Sequence, residues 1–376
     1  MDPTSLLAEL VAIDSVNPDL VPGARGEGEI AGFVQAWMAR AGMETHIDEA
    51  APGRPSVVGI VRGTGGGRSL MLNAHLDTVG VEGMEHPHSP RVEGNRLYGR
   101  GAYDMKGSLA AMLEAGRRLT ERPPRGDVIL TAVCDEEYAS IGTASILKRW
   151  RADAAIVTEP TGLDICVGHK GFIWFDIESQ GVAAHGSKPE LGVDAIAKMG
   201  RVLTAIEDLN AKIRSVQRHP LLGSGSIHAS LISGGRELST YPERCLLSIE
   251  RRTVPGETLE EASSQIQAIL SDARRQDLRA RYEFRSTLVR EPFEVDPAEG
   301  IVQILRARVA AERGVEPRFY GDTPWMDSAL TSAAGIPTVV FGPGGGGAHA
   351  AVEWSNLDEV AVAARVFETV AIEFCA

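Results

Sequence analysis

A chain of 376 residues, 43% hydrophobic and 24% charged, has the composition of a globular protein, with room at roughly 150 residues per domain for two or three of them. Its 38 Lys and Arg against 51 Asp and Glu leave a net charge of -13, which repels phosphate backbones and anionic lipid and so excludes nucleic acid and membranes as expected partners. No apolar run reaches the roughly 20 residues that cross a bilayer, and the acidic start lacks the basic region of a signal peptide, so the expected location is cytoplasmic.

Residues 1–50 read as helix, with Leu6, Leu7, Leu10 and Val11, then Ile30, Phe33, Val34 and Trp37, at helical spacing. Short β-branched runs follow at 56–61, 69–74, 128–133 and 154–157. A helical pattern at 107–119 separates the second from the third and stops at Pro123-Pro124. Near-continuous apolar strands alternating with helices predict an α/β fold whose mixed or parallel sheet is covered by helices on both faces.

The pattern changes near Gly168. Phe172, Trp174 and Asp176 alternate with Ile173, Phe175 and Ile177, as in a strand with one face exposed. A helix at 194–209, strands at 226–233 and 245–251, a helix at 259–274 and a strand at 281–287 complete a β-α-β-β-α-β order, the ferredoxin-like plan. A helix at 301–313, a buried strand at 337–341 and a helix at 356–373 then resume the first pattern. The expectation is one α/β domain (1–168 and 291–376) interrupted by an α+β insert (169–290). The cysteines Cys134, Cys166, Cys245 and Cys375 form no Cys-x-x-Cys pair and are expected as reduced thiols.

Acids and histidines gather at predicted strand ends. These are His75 and Asp77, the acids Asp135-Glu136-Glu137, Glu159 after Thr158, and His349 beyond a Gly-rich turn; Asp104 opens the helix at 107. His75 and Asp77 point the same way in an extended segment, so Asp77 can orient His75. Three adjacent acids repel one another unless cations or protons neutralise them. Ligand sites of parallel sheets lie beyond the carboxyl ends of the strands. Two His and three or four carboxylates there match a two-metal site with N/O ligands, zinc first, cobalt or manganese as alternatives. The run Gly342-Pro343-Gly344-Gly345-Gly346-Gly347 satisfies a dinucleotide motif in letters only, because the 29 residues after it leave no room for a further helix, strand and acid. Its glycines are expected to give a close backbone approach to a ligand.

Six ordered segments carry a resemblance. They are Ala74-His75-Leu76-Asp77-Thr78-Val79, Gly99-Arg100-Gly101-Ala102-Tyr103-Asp104-Met105-Lys106-Gly107, Asp135-Glu136-Glu137, Glu159-Pro160-Thr161, Ala184-His185-Gly186-Ser187-Lys188-Pro189 and Ala348-His349. In these the chain resembles, over nearly its whole length, the co-catalytic zinc amidohydrolases and metallopeptidases of acetylornithine deacetylase, succinyl-diaminopimelate desuccinylase, aminoacylase and glutamate carboxypeptidase. The resemblance implies two Zn2+ per chain, with Asp104 shared, His75 and Glu159 completing one site, and Glu137 and His349 the other. It makes Glu136 the general base and has Asp77 hold His75 in its ligating tautomer. The insert becomes a lid through which a homodimer forms. His185 on it stabilises the tetrahedral intermediate in the partner's site, and Arg252 binds a substrate carboxylate. The implied reaction is hydrolysis of a C–N amide bond in an N-acyl amino acid or small peptide, with carboxypeptidase or dipeptidase action as the near alternative. A catalytically silent binding relative, which would be expected to lack a ligand or Glu136, is the farther one.

Two positions depart from that family's pattern. Ser239-Thr240-Tyr241-Pro242 stands where many relatives carry Asn-x-x-Pro, and Ala329 stands where desuccinylases carry Arg. The loss of that cation argues against a succinyl group. Tyr320, Trp325 and Met326 read either as an apolar wall of the site or as core.

Overall fold

In the computed structural model, which describes residues 3–376, the strands Val128–Val133, Leu70–His75, Ala154–Val157 and Thr338–Val340 lie side by side and run parallel. Their residues are all buried, which is why they read as unbroken apolar runs rather than alternations. Arg54–Val61 joins antiparallel to Val128–Val133 and pairs on its other edge with Glu44–Ala51. Beyond Thr338–Val340 lies the antiparallel Ile165–His169.

Helices cover both faces. On one, Gly107–Glu121 packs against Leu357–Phe374, and so tightly on the sheet that a Cβ at Gly116 would come within 2.6 Å of Leu130 and Met43. On the other, Ile146 and Trp150 pack on Val58, Ile60 and Ile129, and Leu147 on Met71 and Ala155.

The helices Pro3–Val11 and Gly28–Arg40 occupy the start of the chain, but Glu44–Ala51 is a strand, not the continuation of helix. It is polar and half-exposed at the sheet edge, so it shows no apolar period, and Gly53 at φ +75° makes the turn into its partner. The Gly342 run also packs closely within the protein: a Cβ on Gly342 would lie 2.5 Å from the Glu159 carbonyl, and one on Gly345 would lie 2.2 Å from that of Trp354. Gly345–Gly346 also pairs with Trp354–Asn356 in a small separate sheet.

The chain divides into two compact units, one through Val167 with Val295–Tyr320 and Met326–Ala376, the other Gly168–Glu294 with Gly321–Trp325. The second is a four-stranded antiparallel sheet in the order Ser226–Gly234, Arg244–Thr253, Gly171–Gln180, Arg281–Arg290. Ile173, Phe175 and Ile177 pack under the helices Ala195–Arg214 and Leu259–Gln276, while Trp174 on the opposite face is exposed. Asp194 and Thr258 cap these helices through the backbone N–H groups of Ala197 and Glu261. The four cysteines are buried and form no disulfide, and no helix among the described residues is long and apolar enough to cross a membrane.

Candidate metal centre

The parallel strands end on one edge of the sheet and deliver His75, Asp135 to Glu137, and Glu159 there; Asp104 enters from the turn that leads into Gly107–Glu121. His75 Nε2 lies 3.1 Å from Asp104 Oδ1 and 3.8 Å from Glu159 Oε1. His349 Nε2 lies 3.3 Å from Asp104 Oδ2 and 3.1 Å from Glu137 Oε2. The five side chains thus form two trios of donor atoms that share Asp104, one of its oxygens facing each.

The charges in this cluster do not balance among themselves. Burial, helped by Asp104, pushes the Glu137 carboxyl up to about 7. Burial and neighbouring acids drive Glu136 and Glu159 well above the usual carboxylate range. Hydrogen bonds to Asp104 and Glu137 raise His349 to about 10. Burial works against a charged His75, yet the bond to Asp104 and the charges of Glu159 and Asp77 carry it well above its ordinary value. Protons are being held where positive charge is missing, and Glu137 Oε1 is buried without a hydrogen-bond partner. Oxygen and imidazole donors in this state fit a pair of divalent cations, which would displace those protons.

Asp77 works differently from the simple expectation. His75 Nδ1 is 2.9 Å from the backbone carbonyl of Asp77 and 3.7 Å from its carboxylate. The carbonyl therefore accepts the Nδ1 proton and leaves Nε2 facing the acids. The carboxylate instead accepts the backbone N–H of Glu136 at 3.1 Å and of Glu137 at 3.2 Å, and an amide N–H of Asn17 at 2.8 Å. The Glu136 carboxylate accepts no hydrogen bond among the described residues. Asp135, the first of the three adjacent acids, turns away at φ +66° and pairs with Arg54.

Reading motifs alone missed several residues. Buried Glu353 accepts the backbone N–H of Asp104, Tyr103 and Gly101 and pairs with Arg100, fixing the Asp104 turn; a lone Glu in Val352-Glu353-Trp354 carries no signal of this. Buried Lys106 donates to the Ile13 carbonyl, and burial lowers it to about 7. Asn17 and Arg54 were missed as well.

His185 and Arg252 are not in the cluster; they belong to the second unit. His185 is exposed, and its Nδ1 accepts the backbone N–H of Ser187 at 3.2 Å, so the neutral ring carries its proton on Nε2. Its loop is zipped to the Ser239–Pro242 turn by Gly186 N–H to Ser239 O and Tyr241 N–H to Ala184 O. Arg252 donates Nε to Glu250 at 2.7 Å and lies 5.0 Å over the Phe172 ring. Trp325 packs edge-on to Phe172 and His169 and donates to the Glu291 carbonyl within the same unit, while Met326 and Ala329 are core residues of the first.

Compared with known proteins, residues 71–373 match the family model described as peptidase family M20/M25/M40. The chain is 27% identical to an N-formyl-4-amino-5-aminomethyl-2-methylpyrimidine deformylase of Bacillus subtilis, over 94% of this chain and 91% of that one. It is 28% identical to an acetylornithine deacetylase of Myxococcus xanthus, over 98% and 96%. Its fold superposes on the crystal structure of aminopeptidase PepT from Bacillus cereus with a TM-score of 0.82, at 19% identity, covering 100% of this chain and 98% of that one.

Proposed function

The chain belongs to peptidase family M20/M25/M40 and is an enzyme that hydrolyses C–N bonds; on that premise we propose that its substrate is an N-acyl amino acid or small peptide and that it works with two zinc ions. His75, Asp104 and Glu159 would hold one ion, and Asp104, Glu137 and His349 the other, with cobalt or manganese as substitutes. The observation that carries this reading is the sharing of Asp104, whose two oxygens each face a separate His and carboxylate. Ions so held would acidify the attacking water and offset the oxyanion charge that develops.

The remaining steps belong to side chains. Glu136, a carboxylate without hydrogen-bond partners among the described residues and made more basic by burial and neighbouring acids, takes the proton of the attacking water and passes it to the leaving amine. Asp77 keeps His75 in the tautomer that presents Nε2. Residues 1–168 and 291–376 form the catalytic domain, and 169–290 the lid. His185 offers its Nε2–H to the oxyanion in a partner's site, and the Arg252 fork takes a substrate carboxylate. Lid-to-lid pairing into a homodimer is supported by the edge strand Ser226–Gly234, where Leu231 is 73% and Ile232 53% exposed. Ala329, standing where desuccinylases carry Arg, offers no cation for a succinyl carboxylate and so supports a short neutral acyl group. We place the enzyme in the cytoplasm.

The test is amine release by zinc-loaded protein from N-formyl, N-acetyl and N-succinyl amino acids and from dipeptides, beside a chelated control. Chelator-sensitive release from the formyl or acetyl compounds is expected. Release from dipeptides alone would make the enzyme a dipeptidase, and no release at full metal loading would sink the reading.

A further inference from the structure

We propose that Asn17 and Arg54 are positioning residues for the reaction, acting through Asp77 and Asp135 on the turn that presents Glu136 and Glu137. The inference rests on the roles proposed above for those two glutamates.

Asn17 lies between two buried carboxylates. Its Nδ2 donates to Asp77 Oδ2 at 2.8 Å and to Asp135 Oδ1 at 3.0 Å, and these acids are 1% and 0% exposed. Its Oδ1 accepts from the Asp19 backbone at 2.9 Å and from Arg54 Nη2 at 3.3 Å. Both ends of the amide are therefore committed, and a flipped amide would set its oxygen against two carboxylates. The backbone seats the residue as well, through Asn17 N–H to Thr78 O at 2.9 Å and Thr78 N–H to Ser15 O at 3.0 Å, directly beside Asp77.

Arg54 supplies the positive charge. It grips Glu27 with two bonds of 2.7 and 2.8 Å, donates to Asp135 at 2.8 Å and also pairs with Asp19. The turn hangs from this bracket at two points. Asp135 immediately precedes Glu136, and the Asp77 carboxylate holds the backbone N–H groups of Glu136 and Glu137. Without the Asn17 amide, Asp77 and Asp135 would face each other with no donor between them. The glutamates would then lose the fixed base on which their aim depends, and a displacement of about 1 Å costs on the order of a hundred-fold in rate.

The experiment uses the full chain with Asn17→Ala, Asn17→Ser, Arg54→Lys and Asp77→Asn, and with the double variant Asn17→Ala/Asp77→Asn. Measured are kcat and KM on the best substrate, zinc retention against a competing chelator, and the visible spectrum of the cobalt-loaded protein. Asn17→Ala is expected to lower kcat by about ten-fold or more with KM little changed. It is also expected to weaken zinc retention and alter the cobalt band. Asn17→Ser, whose hydroxyl can still donate to Asp77, should recover part of the loss. Arg54→Lys, which keeps the charge without the fork, should fall between wild type and Asn17→Ala. In the Asp77→Asn background, removing Asn17 should cost much less than in wild type, because the partner through which it acts has changed.

Wild-type kcat and an unchanged cobalt band in folded Asn17→Ala would overturn the proposal. So would an equal loss in both backgrounds, or failure of both Asn17 variants to fold. If wild-type protein hydrolyses nothing in the panel, the activity reading fails, while zinc retention and the cobalt band still decide the bracket.

Discussion

His75 and His185, histidines of the proposed chemistry on different units, are held in opposite ways. His75 is buried, one ring nitrogen on a backbone carbonyl and the other among carboxylates that change its protonation. His185 is exposed, and its ring is oriented by a turn two residues long. The same contrast runs through their neighbours. Burial with Asp104 raises Glu137, burial with Asp104 and Glu137 raises Glu159, and His349 and His75 lower Asp104 against its burial, whereas Arg252 is tied to one acid on its own strand and rests on one ring. Buried charges form a many-body set in which removing one member is felt by all. Exposed groups on local turns can be changed singly, with the fold intact.

That contrast predicts a ranked series. Asp104→Ala should have the largest effect, with both metals lost and hydrolysis below detection, read by metal analysis and amine release. Metal retained at both positions would break the shared-ligand geometry. Glu136→Ala should keep its metals and lower kcat by about a hundred- to ten-thousand-fold, since only the base is removed. Loss of metal on that change would mean that Glu136 and Glu137 exchange roles.

His185→Ala should lower kcat by about a hundred-fold or more, with an unchanged melting temperature because the side chain is exposed. Mixing it with Glu136→Ala subunits should restore part of the activity if the histidine acts across the dimer, and no recovery in verified mixed dimers would sink that role. Arg252→Ala should act mainly on KM, by about ten-fold, the scale of one hydrogen bond to a charged group.

The smallest signal is a proton count. In the metal-free protein at pH 7, His349, raised to about 10, carries its proton, and Glu137, raised to about 7, is partly protonated. Metal must displace both protons, so loading an unbuffered solution should acidify it, and affinity should rise with pH. No proton release would mean that these groups do not ligate.

Much of this is legible in the amino-acid sequence. The parallel strands show as apolar runs because both faces are covered, and the strand at 172–177 in the second unit alternates because only one face is. His75, Asp104, Glu137, Glu159 and His349 stand out only in combination, because singly a His or an acid in such a place is usually a cap, turn or solvated residue, whereas together they match an N/O metal-ligand set. The polar edge strand Glu44–Ala51 is not, since nothing apolar marks its period.

The sequence by itself thus determined the fold class, the family and the side chains available for chemistry, all of which are written in local period and motif. Which acid faces which partner was decided by tertiary structure alone. Asp135, Glu136 and Glu137 are alike and adjacent, yet one carboxylate pairs with Arg54, one accepts no hydrogen bond among the described residues and one meets His349. The groups that sort them come from far along the chain. Asn17 lies 60 positions from Asp77, and Glu353 lies 249 from the Asp104 whose turn it fixes. A buried charge is governed by whatever the fold brings within hydrogen-bonding distance, and sequence spacing does not encode that distance.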